Sequence, residues 1–216
     1  MSELSTPESL SRKEREKRAR QQDILKAARE LFVAKGFSDT TLDEIAHHAE
    51  FGKGTLYNYF ASKEEIFHAI IDQSIEDSLA IARESVAADG GLREKLSLFA
   101  RKTIGYIWEN GELLHAIYHE LHRAGNAEAT RFRDIIKRAG GMWGAIAELL
   151  QKEMDEGRIP PHDPAQYVIL FDGMIRGYCF KKFSLEESGS DTEFAQAADL
   201  IVSVFLDGIT ERNSKG

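Results

Sequence analysis

Apolar residues recur at three- and four-residue intervals along most of the chain. Ile24, Leu25, Ala28, Leu31 and Phe32 trace one helical stripe, and Gly36 offers a left-handed stop. The pattern predicts a first helix over about 18–35. A second, over about 41–49, puts Leu42, Ile45, Ala46 and Ala49 on one face, with Thr41 and Glu44 spaced as a capping box. A very short helix follows at about 54–60. Ser62 and Glu65 then make another capping box, opening a helix to about 86 through Ile66, Phe67, Ile70, Ile71, Ile75 and Leu79. Later helices are expected at about 92–109, 112–123, 127–156, 164–183 and 192–211, broken at "AADGG", "ENG", "RAGN", "EGRIPPHDP" and "EESGSD". No segment alternates with period two for long enough to make a strand. The fold expected is all-α, with about nine helices.

Within this pattern, "FGKGTLYNYF" (51–60) crowds three aromatics behind a glycine–lysine–glycine turn. A helix, a tight turn and a second short helix, braced on both sides, make a helix-turn-helix, whose second helix lies in the major groove of DNA. Leu56 and Phe60, four apart, face inward and anchor that helix. Lys53, Thr55, Tyr57, Asn58 and Tyr59 are left to point outward. Hydroxyl and phenolic groups donate to phosphate oxygens, Asn pairs with an adenine edge, and Thr meets a base edge or a thymine methyl.

Charge sharpens the picture. The formal net charge is −8, which excludes a chain that coats itself with nucleic acid. Residues 11–63 carry 11 Lys and Arg against 8 Asp and Glu, whereas residues 64–216 carry 17 against 26, so a mildly basic head joins an acidic body. The stretch "SRKEREKRAR" (11–20) reads either as a solvated helix extension or as a basic arm on DNA phosphates. Cys179 is the only cysteine, which fits a reducing cytoplasm. Residues 1–23 hold no apolar signal core, and no run of 18 uncharged apolar residues occurs, so no membrane association is expected.

The segment "TTLDEIAHHAEFGKGTLYNYFASKEEIF" resembles the DNA-binding head of the tetracycline-repressor (TetR) family of bacterial regulators. The resemblance rests on Thr41, Ile45-Ala46, Ala49, Lys53 to Tyr57, Tyr59-Phe60 and Lys63-Glu64, and covers roughly residues 20–67. It implies a homodimer that represses genes by binding palindromic operator DNA and is released by a small-molecule effector. The sequence has no Gly-rich phosphate loop, nucleophile elbow or catalytic-triad pattern, so neither enzymatic activity nor a cofactor is expected. The organisation implied is a flexible basic extension (1–17), a helix-turn-helix domain (18–63) and an effector-binding and dimerisation domain (64–216). Carried over residue by residue, Lys53, Gly54, Thr55 and Asn58 face bases or the groove, and Thr40, Thr41, Tyr57, Tyr59 and Lys63 contact phosphates. One position departs from the pattern: Glu50 stands where the family usually has Gly. A left-handed backbone there would cost Glu about 1 kcal/mol against Gly.

The last two helices, "YVILFDGMIRGYCF" and "FAQAADLIVSVFLDGI", are apolar on nearly all sides, which predicts burial against a second copy. Phe171, Ile175, Tyr178, Ile201, Val202 and Phe205 are the expected interface. His115, His119 and His122 lie along one stripe and read as metal ligands, as pocket lining or as solvated side chains. A metal is disfavoured, because i to i+7 on one straight helix spans about 10 Å. Gly140, Gly141 and Gly144 interrupt a helix, marking a kink or a wall that a ligand approaches. The expected effector pocket is Trp108, His115, Tyr118, His119, Trp143, Phe171 and Arg176, with Met142 beside them. Glu-x-x-His pairs at Glu44/His47, Glu65/His68 and Glu112/His115 raise a di-iron enzyme as an alternative, though two of them fall inside the DNA-binding pattern. A helical adaptor that binds only protein is the third reading.

Overall fold

Ser11 begins the first helix. Its hydroxyl accepts from the Glu14 amide at 3.3 Å, and the Glu14 carboxylate accepts from the Ser11 amide at 2.8 Å, closing a capping box. Helix α1 therefore runs Arg12–Lys35, starting six residues ahead of the sequence expectation, and residues 12–17 are helical instead of a flexible extension. It ends at Gly36, whose φ of 84° suits glycine alone. The computed structural model describes residues 11–123, 143–184 and 189–210.

The helices that follow are α2 (Leu42–His48), α3 (Lys53–Tyr57), α4 (Lys63–Ala87), α5 (Leu92–Arg123), α6 (143–155), α7 (Pro164–Ser184) and α8 (Asp191–Thr210). The described residues thus form eight helices and no strand. Two expected helices, 92–109 and 112–123, are one: α5 runs through the "ENG" break. Asn110 donates its side-chain amide to the Tyr106 carbonyl at 2.9 Å, and a single helical Gly costs only about 1 kcal/mol. Of the glycines expected to break helix 127–156, Gly144 lies within α6; Gly140, Gly141 and Met142 fall outside the described residues.

The chain divides into two units. The first takes in the described residues up to Gln73 together with His115–His122. Here α2 packs on α1 and on α3. Ile24, Ala28, Phe32, Ile45, Leu56, Phe60, Ile66 and Ile70 are buried. Phe32, Phe37 and Phe67 meet ring to ring, with centroids 4.9–5.8 Å apart.

The second unit comprises Ser74–Leu114 and the described residues from Arg123 onward. Its core joins Leu96, Phe99 and Ile104 of α5, Ile146 and Leu150 of α6, and the inner faces of α7 and α8. Phe171, Ile175, Ile201, Val202 and Phe205 are between 0% and 6% exposed within this core, and Tyr178 packs partly buried against it. A side chain so enclosed has no surface left for a second chain, so the residues expected at the interface are core residues. The exposed apolar residues on α7 and α8 are instead Ile169, Leu170, Phe180, Leu200 and Val204. Cys179 is buried too, and burial pushes its thiol up to about 11.

Candidate nucleic-acid interface

Helix α2 starts at Thr41. Its amide and its hydroxyl both donate to the Glu44 carboxylate, at 2.9 and 2.8 Å, and the Glu44 amide donates back to the hydroxyl at 3.3 Å. Lys35 of α1 donates to the same carboxylate at 2.6 Å. Hydrogen bonds from Lys35 and then from Thr41 hold the Glu44 carboxyl down at about 2.

The turn out of α2 is a left-handed helix stop. The Phe51 amide donates to the Ala46 carbonyl at 2.8 Å and the Glu50 amide to the His47 carbonyl at 3.1 Å, the paired bonds of a Schellman motif. Glu50 occupies the position where glycine is favoured, with φ 59°, the one positive φ of a non-glycine among the described residues. The sequence departure at Glu50 is therefore a real conformational cost.

Helix α3 follows after Gly52. Leu56 and Phe60 are 0% and 3% exposed and anchor it, as their spacing predicts. The regular helix ends at Tyr57, earlier than expected. The Asn58, Tyr59 and Phe60 amides still donate back to Thr55 and Leu56 carbonyls, so the chain keeps turning tightly to Phe60. Lys53, Gly54, Tyr57 and Asn58 are exposed, and Thr55 and Tyr59 are half-buried. At 100° per residue the four exposed positions fall within about 140° of the helix circumference, away from Leu56. A Cβ at Gly54 would meet nothing within 4 Å, so the space before it is open. Lys53 donates to Asp43 of α2 at 2.8 Å, and that hydrogen bond with the carboxylate's charge raises its pKa.

Two expected phosphate contacts are engaged elsewhere. Thr40 is fully buried, and its hydroxyl donates to the Gly36 carbonyl at 2.8 Å. The Lys63 ammonium donates to the carbonyls of Phe37, Ser38 and Thr40 at 2.9, 2.9 and 3.0 Å, and lies 4.6 Å from the centre of the Phe37 ring. An ammonium has three N–H donors, and all three are in use. Lys63 fastens the loop between α1 and α2 to the start of α4. Charge and position suggested a phosphate contact; only the fold reveals three carbonyls converging on it. At that start Ser62 accepts from the Glu65 amide at 3.2 Å, while the Glu65 carboxylate reaches the Ala61 amide at 2.6 Å, one residue short of the expected box.

The expected effector residues divide between the two units. His115 and His119 are exposed in the first unit, their rings 6.3 Å apart. In the second unit Phe171 fills the core, Arg176 is exposed and bonded to Asp172 at 2.6 Å, and Trp108 is half-buried against Phe194. Trp143 is half-buried there as well. The side chains of Tyr118 and His122 lie outside the described residues. The second unit has a cleft of about 480 Å³ between the start of α5, α6 and the end of α8, and another of about 420 Å³ beside Tyr106 and Phe194. Among the described residues no helix is long and apolar enough to cross a membrane.

Residues 24–70 match the family model for bacterial regulatory proteins of the tetR family. The chain is 26% identical over 192 residues to the uncharacterized HTH-type transcriptional regulator YfiR of Bacillus subtilis (strain 168), covering 87% of this chain and 92% of that one. It is 30% identical over 156 residues to the HTH-type transcriptional regulator TcmR of Streptomyces glaucescens, covering 72% of this chain and 63% of that one. Among solved structures it resembles the transcriptional regulator FadR from Bacillus subtilis in complex with stearoyl-CoA, with a TM-score of 0.72 at 19% identity over 87% of this chain and 98% of that one. A matched DNA-binding domain folded as a helix-turn-helix, together with regulators similar along most of the chain, leads to one conclusion: the protein belongs to the tetR family of bacterial transcriptional regulators.

Proposed function

We propose that this protein is a homodimeric repressor that reads palindromic operator DNA through α3 and releases it on binding a small molecule. The observation that carries the reading is the α3 surface: a short helix pinned by Leu56 and Phe60 that turns Lys53, Gly54, Tyr57 and Asn58 to solvent. Asn58 is assigned to a base edge, and Lys53, Gly54 and Thr55 to the groove. Tyr57, Tyr59 and Thr41 are assigned to the backbone. Such a protein works in the cytoplasm, where chromosomal DNA is accessible.

Dimerisation is supported by the outer faces of α7 and α8. Ile169, Leu170, Phe180, Leu200 and Val204 are between 56% and 76% exposed, and Gly173 and Gly177 have open space before them. The α7 members fall within about 100° of one side of the helix. A two-fold dimer through these faces sets two copies of α3 against half-sites about 34–36 Å, or a multiple, apart. Leu170→Glu or Leu200→Glu should give monomers in sedimentation. Ile175→Lys and Val202→Lys, by contrast, should unfold the second unit.

An effector site in the second unit is supported by three buried polar atoms without a hydrogen-bond partner among the described residues: Thr103 Oγ1, Trp143 Nε1 and Asp172 Oδ1. Buried polar atoms left unpaired cost about 1–3 kcal/mol each, a cost that a bound polar ligand relieves. FadR, similar in fold, was solved with stearoyl-CoA, a small molecule. The test of the whole reading is in vitro selection of bound duplexes from a random pool. An enriched inverted repeat is the expected result; a pool with no enriched motif would sink it.

A further inference from the structure

Beyond the first turns of α1, the head has an electrostatic deficit. Residues 21–73 hold five Lys and Arg against nine Asp and Glu, a net −4 for a body meant to approach a polyanion. Three of those five cations are already engaged: Lys35 on Glu44, Lys53 on Asp43, and Lys63 on three backbone carbonyls. Arg29 has its Nε buried. Glu50 and Asp43 lie in the helix-turn-helix itself. That leaves exposed Lys26, and Lys53 once DNA displaces Asp43, so most of the positive charge for the DNA backbone has to come from elsewhere in the head.

It is present in the first turns of α1. Residues 12–20 carry six Lys and Arg against two Glu, a net +4, and every residue from Ser11 to Arg20 is exposed. Burial starts only at Ile24 and Leu25. Both glutamates have local work: Glu14 caps the helix at Ser11, and Glu16 pairs with Arg12 at 2.8 Å. None of the six cations is buried in the core. Because Ser11 caps this segment, it is a helical extension about 14 Å long, continuous with the packed part of α1. A helix that buries nothing gains little from its own ion pairs, about 0.3–0.5 kcal/mol each, so its composition is better explained by what it touches.

We propose that Arg12–Arg20 is a second DNA-binding surface, lying along phosphates beside the bases that α3 reads. This rests on the operator reading above and deepens it: α3 supplies the sequence preference and the α1 extension supplies most of the salt-dependent affinity. Phosphate contacts carry no sequence information, so the extension strengthens binding to all duplexes alike.

The test combines Lys13→Gln, Lys17→Gln, Arg18→Gln and Arg20→Gln in the full chain; Gln keeps helical propensity, and none of the four touches the core. Binding to a selected duplex and to a scrambled one is followed by fluorescence anisotropy between about 50 and 200 mM salt. The slope of log affinity against log salt should become shallower by about 0.9 for each phosphate that the protein no longer neutralises. Affinity at the low-salt end should fall about tenfold or more, equally for both duplexes. Glu16→Gln should move both readouts the opposite way. An unchanged slope with unchanged affinity overturns the proposal, as does a loss confined to the selected duplex. A wild-type chain that prefers no duplex over another would instead sink the operator reading, so the two failures are told apart.

Discussion

Lys53 and Lys63 stand ten residues apart at the starts of successive helices, α3 and α4, and the family resemblance marks both as DNA contacts, one for the groove and one for phosphate. The structure separates them. At the start of α3 the ammonium is exposed and meets a single exposed carboxylate, Asp43, an arrangement that DNA can displace. At the start of α4 the ammonium is enclosed by three carbonyls and an aromatic face, an arrangement that leaves it no donor for anything else. Charge at a helix start is thus not enough to name a DNA contact; what else the charge can reach decides it.

The largest effect should come from Lys63→Met. Three carbonyls lose a charged donor, and hydrogen bonds to charged groups are worth about 1.5–3 kcal/mol each before water takes their place. A loss of about 2–4 kcal/mol in unfolding free energy is expected by thermal or urea denaturation, with the salt slope of whatever DNA binding survives unchanged. If stability holds and the slope falls, Lys63 is a phosphate contact after all and the contrast with Lys53 collapses.

Lys53→Met should do the reverse. An exposed ion pair contributes about 0–1 kcal/mol, so the melting temperature should barely move, while the salt slope drops by roughly 0.9 per protomer. Asp43→Asn sharpens the same point by removing the competing carboxylate, and should tighten binding most at low salt.

A smaller effect is expected at the turn between α2 and α3. Glu50→Gly removes a left-handed strain of about 1 kcal/mol but loosens the unfolded chain, for a net gain of about 0.5 kcal/mol. DNA affinity at low salt should rise as well, because a carboxylate leaves the interface. A destabilised Glu50→Gly protein would mean that the Glu50 side chain makes a contact worth more than the strain.

The smallest is a pH effect at the start of α2. The Glu44 carboxyl titrates at about 2 in the fold, below its ordinary value near 4.5. Its contribution to stability is therefore complete above about pH 4.5 and is lost as the pH falls toward 2. Glu44→Gln should flatten that part of the stability profile, and Lys35→Met should flatten it in part.

These contrasts also explain what can be read from the chain. Leu56, Phe60 and the α1 stripe are legible because one face is apolar and the other is not, so period alone assigns inside and outside. Glu50 is legible because a left-handed turn tolerates few residues. On α7 and α8 both faces are apolar, and pattern cannot say which meets the core. Ile175 and Val202 are inside, and Leu170 and Leu200 outside. Thr40 and Lys63 are illegible for another reason: their partners are backbone carbonyls, which every residue carries and which no sequence pattern marks. The continuity of α5 is hidden in the same way, since its support is an Asn110 bond to a main-chain oxygen.

The chain has two tryptophans, Trp108 and Trp143, and both fall in the second unit, while the α3 surface offers only tyrosines. Intrinsic emission excited selectively at the indoles therefore reports on one unit alone. The indole N–H of Trp143, buried without a partner among the described residues, makes its emission sensitive to any molecule that supplies one. A titration with DNA should leave the spectrum nearly unmoved, and a titration with effector should shift it, so one fluorimeter separates the two proposed kinds of ligand without a label.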